Sequence, residues 1–270
     1  MIQSLIFSKD RACQLDLLLR SIDKNFMHVT GKVHVLWKAT TPAFEAGYHR
    51  VIERFPNVIM WTESDFKENT KNLLNLMEYV CFFVDDNFVY QPPNILGRQV
   101  ECVMERVEEA GGFSFRLGLN TIVQDPYTNA IVSPLPVFHN IENLVMAWDW
   151  TSIPRNNFGY PFSVDGHVYK ASLIAKNIED VCPNPNALEG RFPIDKIPRG
   201  MFSLQQSSVI NNPLNLVGSS NNNAGMYHPR SLEELNAKYL EGQQINLDKL
   251  CLNEIVGCHQ EMEIEFEEQS

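Results

Sequence analysis

The stretch Cys81-Phe82-Phe83-Val84-Asp85-Asp86-Asn87-Phe88-Val89-Tyr90 decides how this chain is interpreted. An apolar run, typical of a buried strand, leads into two adjacent carboxylates and then returns to apolar residues. Such a strand must direct its terminal charge beyond the sheet, because an unpaired buried carboxylate is too costly to keep ionised. A hard divalent cation, which can itself hold a diphosphate, is a natural partner for this charge. The simpler interpretation is a turn in which the Asp side chains bond to the backbone.

Strand and helix patterns alternate over the N-terminal part of the chain. Apolar runs predict four strands, at residues 2–7, 33–37, 58–61 and 81–84. Apolar residues at helical spacing predict a helix after each strand, around residues 15–22, 43–54, 70–77 and 96–107. This order predicts right-handed βαβ units and a mostly parallel sheet covered on both faces. Ligands bind such sheets at the carboxyl ends of the strands, so the segments after Phe7 and Val84 are expected to meet in one crevice.

The second half of the chain has a different pattern. Apolar residues in it predict two strands and a short helix, at residues 113–117, 162–169 and 170–177. Residues 182–227 are rich in Pro, Asn, Gly and Ser, which predicts long loops. Ser231 followed by Glu234 is typical of a capping box, so a helix is expected to begin there.

Length and composition limit the class of protein. The 270 residues permit one large domain, or one domain with a substantial extension, and 44% hydrophobic residues supply a full core. No apolar run approaches the roughly 18 residues that span a bilayer, so no transmembrane segment is expected. The apolar run at residues 1–7 is shorter than the apolar region of a signal sequence, and no basic residues precede it, so no signal sequence is expected. Several of the six scattered cysteines lie in apolar contexts that suit a free thiol, which predicts a reducing, cytoplasmic location. No Cys-x-x-Cys pair occurs, so a structural zinc site is not expected.

The charge of the chain argues against one class of partner. A formal net charge of −11 makes a nucleic-acid backbone an unsuitable ligand. Part of this charge is local, because five glutamates without a basic neighbour lie near the C-terminus: Glu261, Glu263, Glu265, Glu267 and Glu268. A solvated tail is the simpler interpretation of this run, which leaves the folded body less acidic than the total.

Several short motifs flank the two predicted strand ends. They are Phe7-Ser8-Lys9-Asp10-Arg11, Gln14-Leu15, Leu18-Leu19-x-Ser21-Ile22 and Phe82-Phe83-Val84-Asp85-Asp86-Asn87. Together they resemble the GT-A glycosyltransferases, enzymes that use nucleotide sugars. Some members carry the family's Asp-x-Asp (DxD) motif in an x-Asp-Asp form, which Val84-Asp85-Asp86 matches. The resemblance covers residues 1–120 well and the remainder loosely.

This resemblance has implications for fold and activity. It implies a GT-A-like, Rossmann-type mixed α/β sheet flanked by helices, with a more irregular C-terminal half. Residues 1–270 then form a single domain, in which residues 1–112 bind the nucleotide sugar and residues 113–270 bind the acceptor and carry a C-terminal extension. A hexosyltransferase-like enzyme would move a sugar from a uridine-, guanosine- or thymidine-diphosphate donor, a UDP-sugar first among these, to a glycan or another hydroxyl acceptor. Mn²⁺ or Mg²⁺ is the usual cofactor.

The first strand ends in residues that suit contact with a nucleotide: Ser8, Lys9, Asp10 and Arg11. Backbone amides and charged side chains are both available there. The segment contains neither a Gly-x-Gly-x-x-Gly motif nor a Gly-Lys-Ser/Thr phosphate loop, which disfavours a dinucleotide fold. Its simpler interpretation is a polar turn in which Asp10 helps to cap a helix.

The acidic pair would divide two tasks. Asp85 is expected to accept a hydrogen bond from a ribose hydroxyl, and Asp86 to ligate a metal ion that stabilises charge on the leaving nucleotide. Asn87, at the third position of a strict Asp-x-Asp motif, is a poorer ligand.

Lys67 either reaches the diphosphate or lies on a solvated helix face. Arg116 is predicted inside an apolar strand and needs an anionic partner, either the two aspartates or a substrate phosphate.

The second half is expected to supply a base that takes the proton from the acceptor hydroxyl in an inverting transfer. Glu189 is preferred, since its segment resembles the region where GT-A enzymes often hold their base near a helix N-terminus, although Gly190 stands where an Asp is usual. Asp165 is the other candidate, with an Asp-Gly turn as its simpler interpretation. His228 follows a long polar loop and is a candidate metal or diphosphate contact by resemblance to a C-terminal His of several members.

Two rival functions stay open. One is a nucleotide-sugar-binding protein without catalysis. The other is a sugar nucleotidyltransferase, which should carry a Gly-rich basic loop directly after the first strand, whereas residues 8–11 contain no glycine. An oligomer is also open, because the apolar residues 131–137 could pack against a second copy.

Overall fold

The structure is a computed structural model that describes residues 1–125, 130–141, 145–154, 156–178, 182–215 and 225–269. Its strands are β1 (Ile2–Lys9), β2 (Val33–Lys38), β3 (Ile59–Thr62), β4 (Tyr79–Val84), β5 (Asn87–Val89), β6 (Ala110–Ser114), β7 (Val123–Asp125), β8 (Ala130–Ile131), β9 (His139–Asn140), β10 (Val145–Asp149), β11 (His167–Lys170), β12 (Gly200–Leu204), β13 (Val209–Asn211), β14 (Gln243–Ile245) and β15 (Phe266–Glu268). Its α-helices are α1 (Ala12–Asn25), α2 (Pro42–Arg54), α3 (Phe66–Leu74), α4 (Gly97–Arg106), α5 (Ala171–Asn177), α6 (Pro185–Arg191), α7 (Leu232–Leu240) and α8 (Leu247–Cys251).

One nine-stranded sheet organises the described residues, in the order β3-β2-β1-β4-β11-β6-β12-β10-β9. Its first four strands are parallel to one another, as the alternating pattern predicts. From β4 onward the sheet is mixed: β11 is antiparallel to both β4 and β6, β12 is parallel to β6, and β10 is antiparallel to β12. The predicted mixed α/β class is therefore confirmed, whereas a mostly parallel sheet describes only its N-terminal part.

Strand β4 is apolar along its whole length because both of its faces are covered. Side chains alternate along β1, so Ile6 packs into one hydrophobic cluster and its neighbours Leu5 and Phe7 pack into another. In β4, Phe83 joins the first cluster and Phe82 the second. Helices α1 and α4 cover the first face, and α3, α5 and α6 cover the second. A strand buried on both faces favours apolar side chains at successive positions, which explains the continuous apolar run before Asp85.

Side-chain caps define where several helices begin. The hydroxyl of Thr41 accepts a hydrogen bond from Phe44 N before α2, which has Pro at its first position. Ser231 Oγ accepts from Glu234 N at 3.0 Å, so α7 begins where the capping-box signature predicts.

Two predictions for the C-terminal half need correction: the long loops, and the solvated tail, which holds for the exposed Glu263, Glu265 and Glu268 but not for Glu261. Long loops are predicted over residues 182–227, yet the described part of this range contains α6, β12 and β13, and β12 lies inside the main sheet. Residues 216–224 lie outside the described residues. Strand β12 is short and begins with Gly200. Its conformation therefore depends more on pairing with β6 and β10 than on the intrinsic strand propensity of its residues. The acidic C-terminus is not simply solvated, because Glu261 is only 7% exposed and β15 pairs with β14. Within the described part of the chain, no helix is long and apolar enough to cross a membrane.

Candidate active site

The ends of β1 and β4 lie side by side, as the sequence predicts. Phe7 is in register with Val84 across the parallel pair. Just beyond them, Asp85 N donates to Phe7 O at 3.1 Å, and Lys9 N donates to Asp85 Oδ2 at 3.0 Å. The backbone of the first crevice segment thus fixes the first carboxylate of the acidic pair.

Arg11 is the cation at this acidic pair. Its Nη1 lies 2.9 Å from Asp85 Oδ1 and 3.1 Å from Asp86 Oδ2. Its Nε donates to Asn215 Oδ1 at 2.8 Å, and its Nη2 donates to the carbonyl oxygen of Asn215. The side chain of Arg11 is 10% exposed, that of Asp85 5% and that of Asp86 11%. These charges therefore meet in a largely desolvated place, where pairing matters most.

Burial raises the pKa of both aspartates. The pKa of Asp85 rises to about 6, because desolvation and the adjacent Asp86 outweigh the opposing effect of Arg11. The pKa of Asp86 is also raised by burial, against the opposing charge of Arg11. Because burial favours the neutral form of both carboxyl groups, the adjacent positive charge of Arg11 is what favours their ionised form.

Asn87 faces a second carboxylate instead of the acidic pair. Its Oδ1 accepts from Val84 N at 2.9 Å, and its Nδ2 donates to Asp165 Oδ1 at 3.2 Å. Asp86 is held from the other side, where Asn211 Nδ2 donates to its Oδ1 at 2.9 Å. The Asp-Asp-Asn run thereby links two charged clusters, one at Asp86 and one at Asp165.

Arg116 belongs to the second cluster. The sequence predicts it inside a strand, but β6 ends at Ser114 and Arg116 follows in the turn, where Ser114 Oγ accepts from Arg116 N at 3.2 Å. Its Nη1 lies 3.0 Å from Asp165 Oδ2, so the anionic partner within the described residues is Asp165, not the Asp85-Asp86 pair. Its Nη2 donates to Ser163 Oγ at 3.2 Å. In the described residues its buried Nε has no hydrogen-bond partner.

The two candidate bases lie next to this cluster. Asp165 precedes β11, in a turn with Gly166 at φ +65°, so the strand predicted over residues 162–169 begins only at His167. Glu189 is the fifth residue of α6 and not near its N-terminus. Its Oε1 accepts from Val164 N at 3.0 Å. Burial raises the pKa of Glu189 to about 7, and the charge of Asp165 adds to the rise.

His259 joins the two clusters and is a residue that the sequence does not reveal. Asn211 N donates to Cys258 O at 3.2 Å, and Gln260 N donates to Asn211 O at 3.0 Å, which sets His259 beside the residue that holds Asp86. Arg116 Nη1 lies 2.7 Å from His259 Nε2. Since a guanidinium can only donate, Nε2 is the acceptor and the ring is neutral. No spacing or motif near position 259 signals this role, which depends on a bridge between distant segments.

Other predicted site residues have local partners. Ser8 Oγ bonds to Tyr48 OH at 2.7 Å. Asp10, at φ 59°, accepts from Thr40 N and Oγ1 at 2.7 and 2.9 Å. Its carboxylate thus ties β1 to the segment after β2. The side chain of Lys9 is exposed at the end of β1.

The remaining two candidates, Lys67 and His228, lie on other segments. Lys67 is in the first turn of α3, with Nζ 3.9 Å from Glu68 Oε1. His228 N donates to Glu261 Oε2 at 2.9 Å.

A divalent cation would find one suitable protein ligand here. Within the described residues, no three His, Cys, Asp or Glu side chains are grouped to hold a metal ion. Asp86 is a hard oxygen ligand at the partly open edge of the pair. Mg²⁺ is often bound by one or two carboxylates together with substrate phosphates, so Asp86 fits a cation whose other ligands come from a diphosphate.

Comparisons with known proteins give a relative in sequence and several partial alignments with solved structures. No protein-family model matches the chain. The bifunctional glycosyltransferase pgtA of Dictyostelium discoideum is 28% identical over 196 residues, which are 67% of this chain and 25% of that protein. The chain therefore spans about a quarter of the curated relative that it matches.

Several solved structures align with the chain at low identity and with TM-scores below 0.5. S. aureus TarS in complex with UDP aligns with a TM-score of 0.47 and 12% identity, over 77% of this chain and 59% of that one. The mannosyltransferase PcManGT from Pyrobaculum calidifontis, in complex with GDP-Man and Mn²⁺, aligns with a TM-score of 0.42 and 11% identity, over 76% and 54%. The CTP:phosphocholine cytidylyltransferase LicC from Streptococcus pneumoniae aligns with a TM-score of 0.41 and 7% identity, over 78% of this chain and 92% of that one. Among these proteins, sequence similarity connects the chain to part of a glycosyltransferase.

Proposed function

We propose that the protein is a glycosyltransferase that moves a sugar from a nucleotide-diphosphate donor to an acceptor hydroxyl. The observation that carries this proposal is a continuous set of buried charges at the ends of β1 and β4, in which Arg11 pairs with Asp85 and Asp86. Asn87 connects it to the pair of Arg116 and Asp165. Charges of both signs in one crevice suit a ligand that combines phosphates with hydroxyls. The similarity to part of pgtA supports the same class.

The N-terminal half, residues 1–112, is proposed to bind the donor, and a UDP-sugar is the first donor to consider. Arg11 would contact the diphosphate and Asp85 a ribose hydroxyl, with the exposed Lys9 adding positive charge at the same edge. Ser8 and Asp10 would act mainly through the backbone, since their side chains already bond to Tyr48 and Thr40. These assignments follow the resemblance to GT-A enzymes.

Two further basic residues, Lys67 and Arg116, would each contribute less directly to donor binding. Arg116 already has Asp165 and His259 as partners, so it would orient this edge of the site. Lys67, in the first turn of α3, would approach the donor only from the rim.

Mn²⁺ or Mg²⁺ is proposed as the cofactor, with Asp86 as a ligand and His228 as a further candidate. When bound, the cation would offset charge on the leaving nucleotide. The chain's own contribution is to fix Asp86 through Asn211 Nδ2, at 2.9 Å.

Glu189 is the proposed base, and transfer would then proceed with inversion. A pKa of about 7 suits a group that must be ionised near neutral pH and still accept a proton. Asp165 is the weaker candidate, because its oxygens accept from Arg116 at 3.0 Å and from Asn87 at 3.2 Å. It would instead hold Arg116 in place. The acceptor, a glycan or another hydroxyl compound, would enter from the half that spans residues 113–270.

A two-part assay tests this function. Incubation with UDP-, GDP- and dTDP-sugars should release a nucleoside diphosphate, and faster when a hydroxyl acceptor is present. Release of pyrophosphate from nucleoside triphosphates with sugar phosphates would instead favour a nucleotidyltransferase. Binding of nucleotide sugars without release of either product would favour a non-catalytic binder. Glu189→Gln should slow transfer by about 10²–10⁴-fold while donor binding is retained, and the same pattern in Asp165→Asn alone would reverse the choice of base.

The cellular location and the oligomeric state stay predictions. The six cysteines are free, which agrees with a reducing compartment such as the cytoplasm.

Ile131 is 61% exposed and Val137 is 74% exposed, so a second copy could cover this surface.

A further inference from the structure

Arg11 holds the position beside Asp86 at which a cation would bind. Its Nη1 is 3.1 Å from Asp86 Oδ2, while Asn211 Nδ2 is 2.9 Å from Asp86 Oδ1. Both oxygens of the carboxylate therefore already accept a hydrogen bond. A divalent ion bound directly to Asp86 would approach within about 2.0–2.6 Å of one oxygen. It would then lie close to the guanidinium, and the two positive charges would repel each other in a poorly solvated place.

Arg11 is also fixed by contacts that a cation would have to overcome. Its Nε and Nη2 both donate to Asn215, and Nη1 donates to Asp85 as well as to Asp86. The side chain is 10% exposed, so a guanidinium displaced from the carboxylates would need another anion. A diphosphate supplies that anion, because its oxygens accept several hydrogen bonds from one guanidinium.

We propose that Arg11 and a divalent cation compete for Asp86, so that the cation binds tightly only together with a nucleoside diphosphate that takes over Arg11. This inference rests on the proposed function for the nature of the anion. The competition itself is a property of Arg11, Asp85 and Asp86 and can be measured without any transfer reaction.

The test is a titration of the protein with Mn²⁺, followed by the electron paramagnetic resonance signal of the free ion. Without nucleotide, Arg11→Met should bind Mn²⁺ about tenfold more tightly than the unchanged protein, since a competing charge is gone. Lys9→Met is the matched control, because it removes a positive charge at the same strand end while the Lys9 side chain is exposed. The double change Arg11→Met with Asp86→Asn should remove the gain.

Addition of UDP completes the test. UDP should tighten Mn²⁺ binding to the unchanged protein about tenfold or more, and clearly less in Arg11→Met. Equal Mn²⁺ affinity of Arg11→Met and the unchanged protein, or an equal gain in Lys9→Met, would overturn the competition. If Arg11→Met fails to fold, Arg11→Lys replaces it. Lysine cannot make the several directed hydrogen bonds of a guanidinium, so Arg11→Lys should bind Mn²⁺ more tightly than the unchanged protein. An unchanged Mn²⁺ affinity in this variant would count against the proposal. A protein that shows the gain but transfers no sugar would retain the competition and lose the proposed function.

Discussion

Arg116 and His259 meet through a contact of 2.7 Å between Nη1 and Nε2, although 143 residues separate them in the sequence. The same guanidinium nitrogen donates to Asp165 Oδ2 at 3.0 Å. Arg116 is only 4% exposed, so water can solvate its guanidinium only poorly. His259 and Asp165 therefore supply hydrogen-bond acceptors that water cannot readily replace. The histidine thereby stabilises the cluster that carries the second candidate base.

Replacing His259 tests whether this acceptor matters. His259→Leu should lower the free energy of unfolding by about 1 kcal/mol, because the buried Arg116 Nη1 loses one of its two acceptors and keeps Asp165. His259→Gln, whose amide oxygen can lie close to the former Nε2, should recover most of that loss. Urea unfolding at pH 7 provides the measurement. Equal stability of the two variants would show that Arg116 does not depend on this acceptor.

Glu189 predicts a pH dependence of transfer. Its pKa is raised to about 7, chiefly by burial, so the ionised, basic form increases as the pH passes through 7. The value of kcat/KM should therefore rise on going from pH 6 to pH 8 and then level off. Glu189→Gln should lower kcat by about 10²–10⁴-fold and remove this rise. A variant that keeps the rise would place the titrating group elsewhere.

His167 predicts a pH dependence of stability. Its side chain is fully buried, and within the described residues Nε2 has no hydrogen-bond partner. Burial lowers its pKa to about 3, with the charge of Arg116 in the same direction. A lowered histidine pKa means that the unfolded chain binds the proton more readily, so stability is lost as the pH falls below about 6.5. Between pH 7 and pH 5 this residue should cost about 2 kcal/mol of stability.

The contribution of His167 is isolated by comparing variants. Asp85 and Glu189 have raised pKa values, so they act in the opposite direction and gain stability as the pH falls. His167→Phe should therefore be more stable at pH 5, relative to pH 7, than the unchanged protein by about 2 kcal/mol in urea unfolding. An unaltered pH dependence in His167→Phe would contradict the prediction.

Glu261 predicts a local effect on the segment before α7. Its two carboxylate oxygens accept from three consecutive backbone amides, those of Met226, Tyr227 and His228, at 2.8–2.9 Å. Glu261→Gln should raise the hydrogen-exchange rates of these amides and lower stability by about 1–3 kcal/mol, since the carboxamide offers a single acceptor oxygen. Glu263→Gln is the control at an exposed neighbouring position and should change stability by less than about 0.5 kcal/mol. Equal exchange in both variants would show that the carboxylate does not hold the segment.

Local pattern was sufficient for much of the first half. The apolar run before Asp85 predicts a doubly covered strand, and β4 is one, because both of its faces pack against helices. The helical spacing after Phe7 likewise matches α1. These features depend on contacts close in sequence, which periodicity reports directly. The meeting of the segments after Phe7 and Val84 then follows from the geometry of parallel strands.

The sequence by itself therefore determined the α/β alternation and the place where β1 and β4 present their charges. Only the tertiary structure decided what those charges contact: Arg11 at Asp85 and Asp86, Asn87 at Asp165, and His259 at Arg116. It also decided that β11, from the second half, lies between β4 and β6. The physical reason is range, since a period of 2 or 3.6 residues reports which face a side chain occupies and carries no information on which distant segment covers that face.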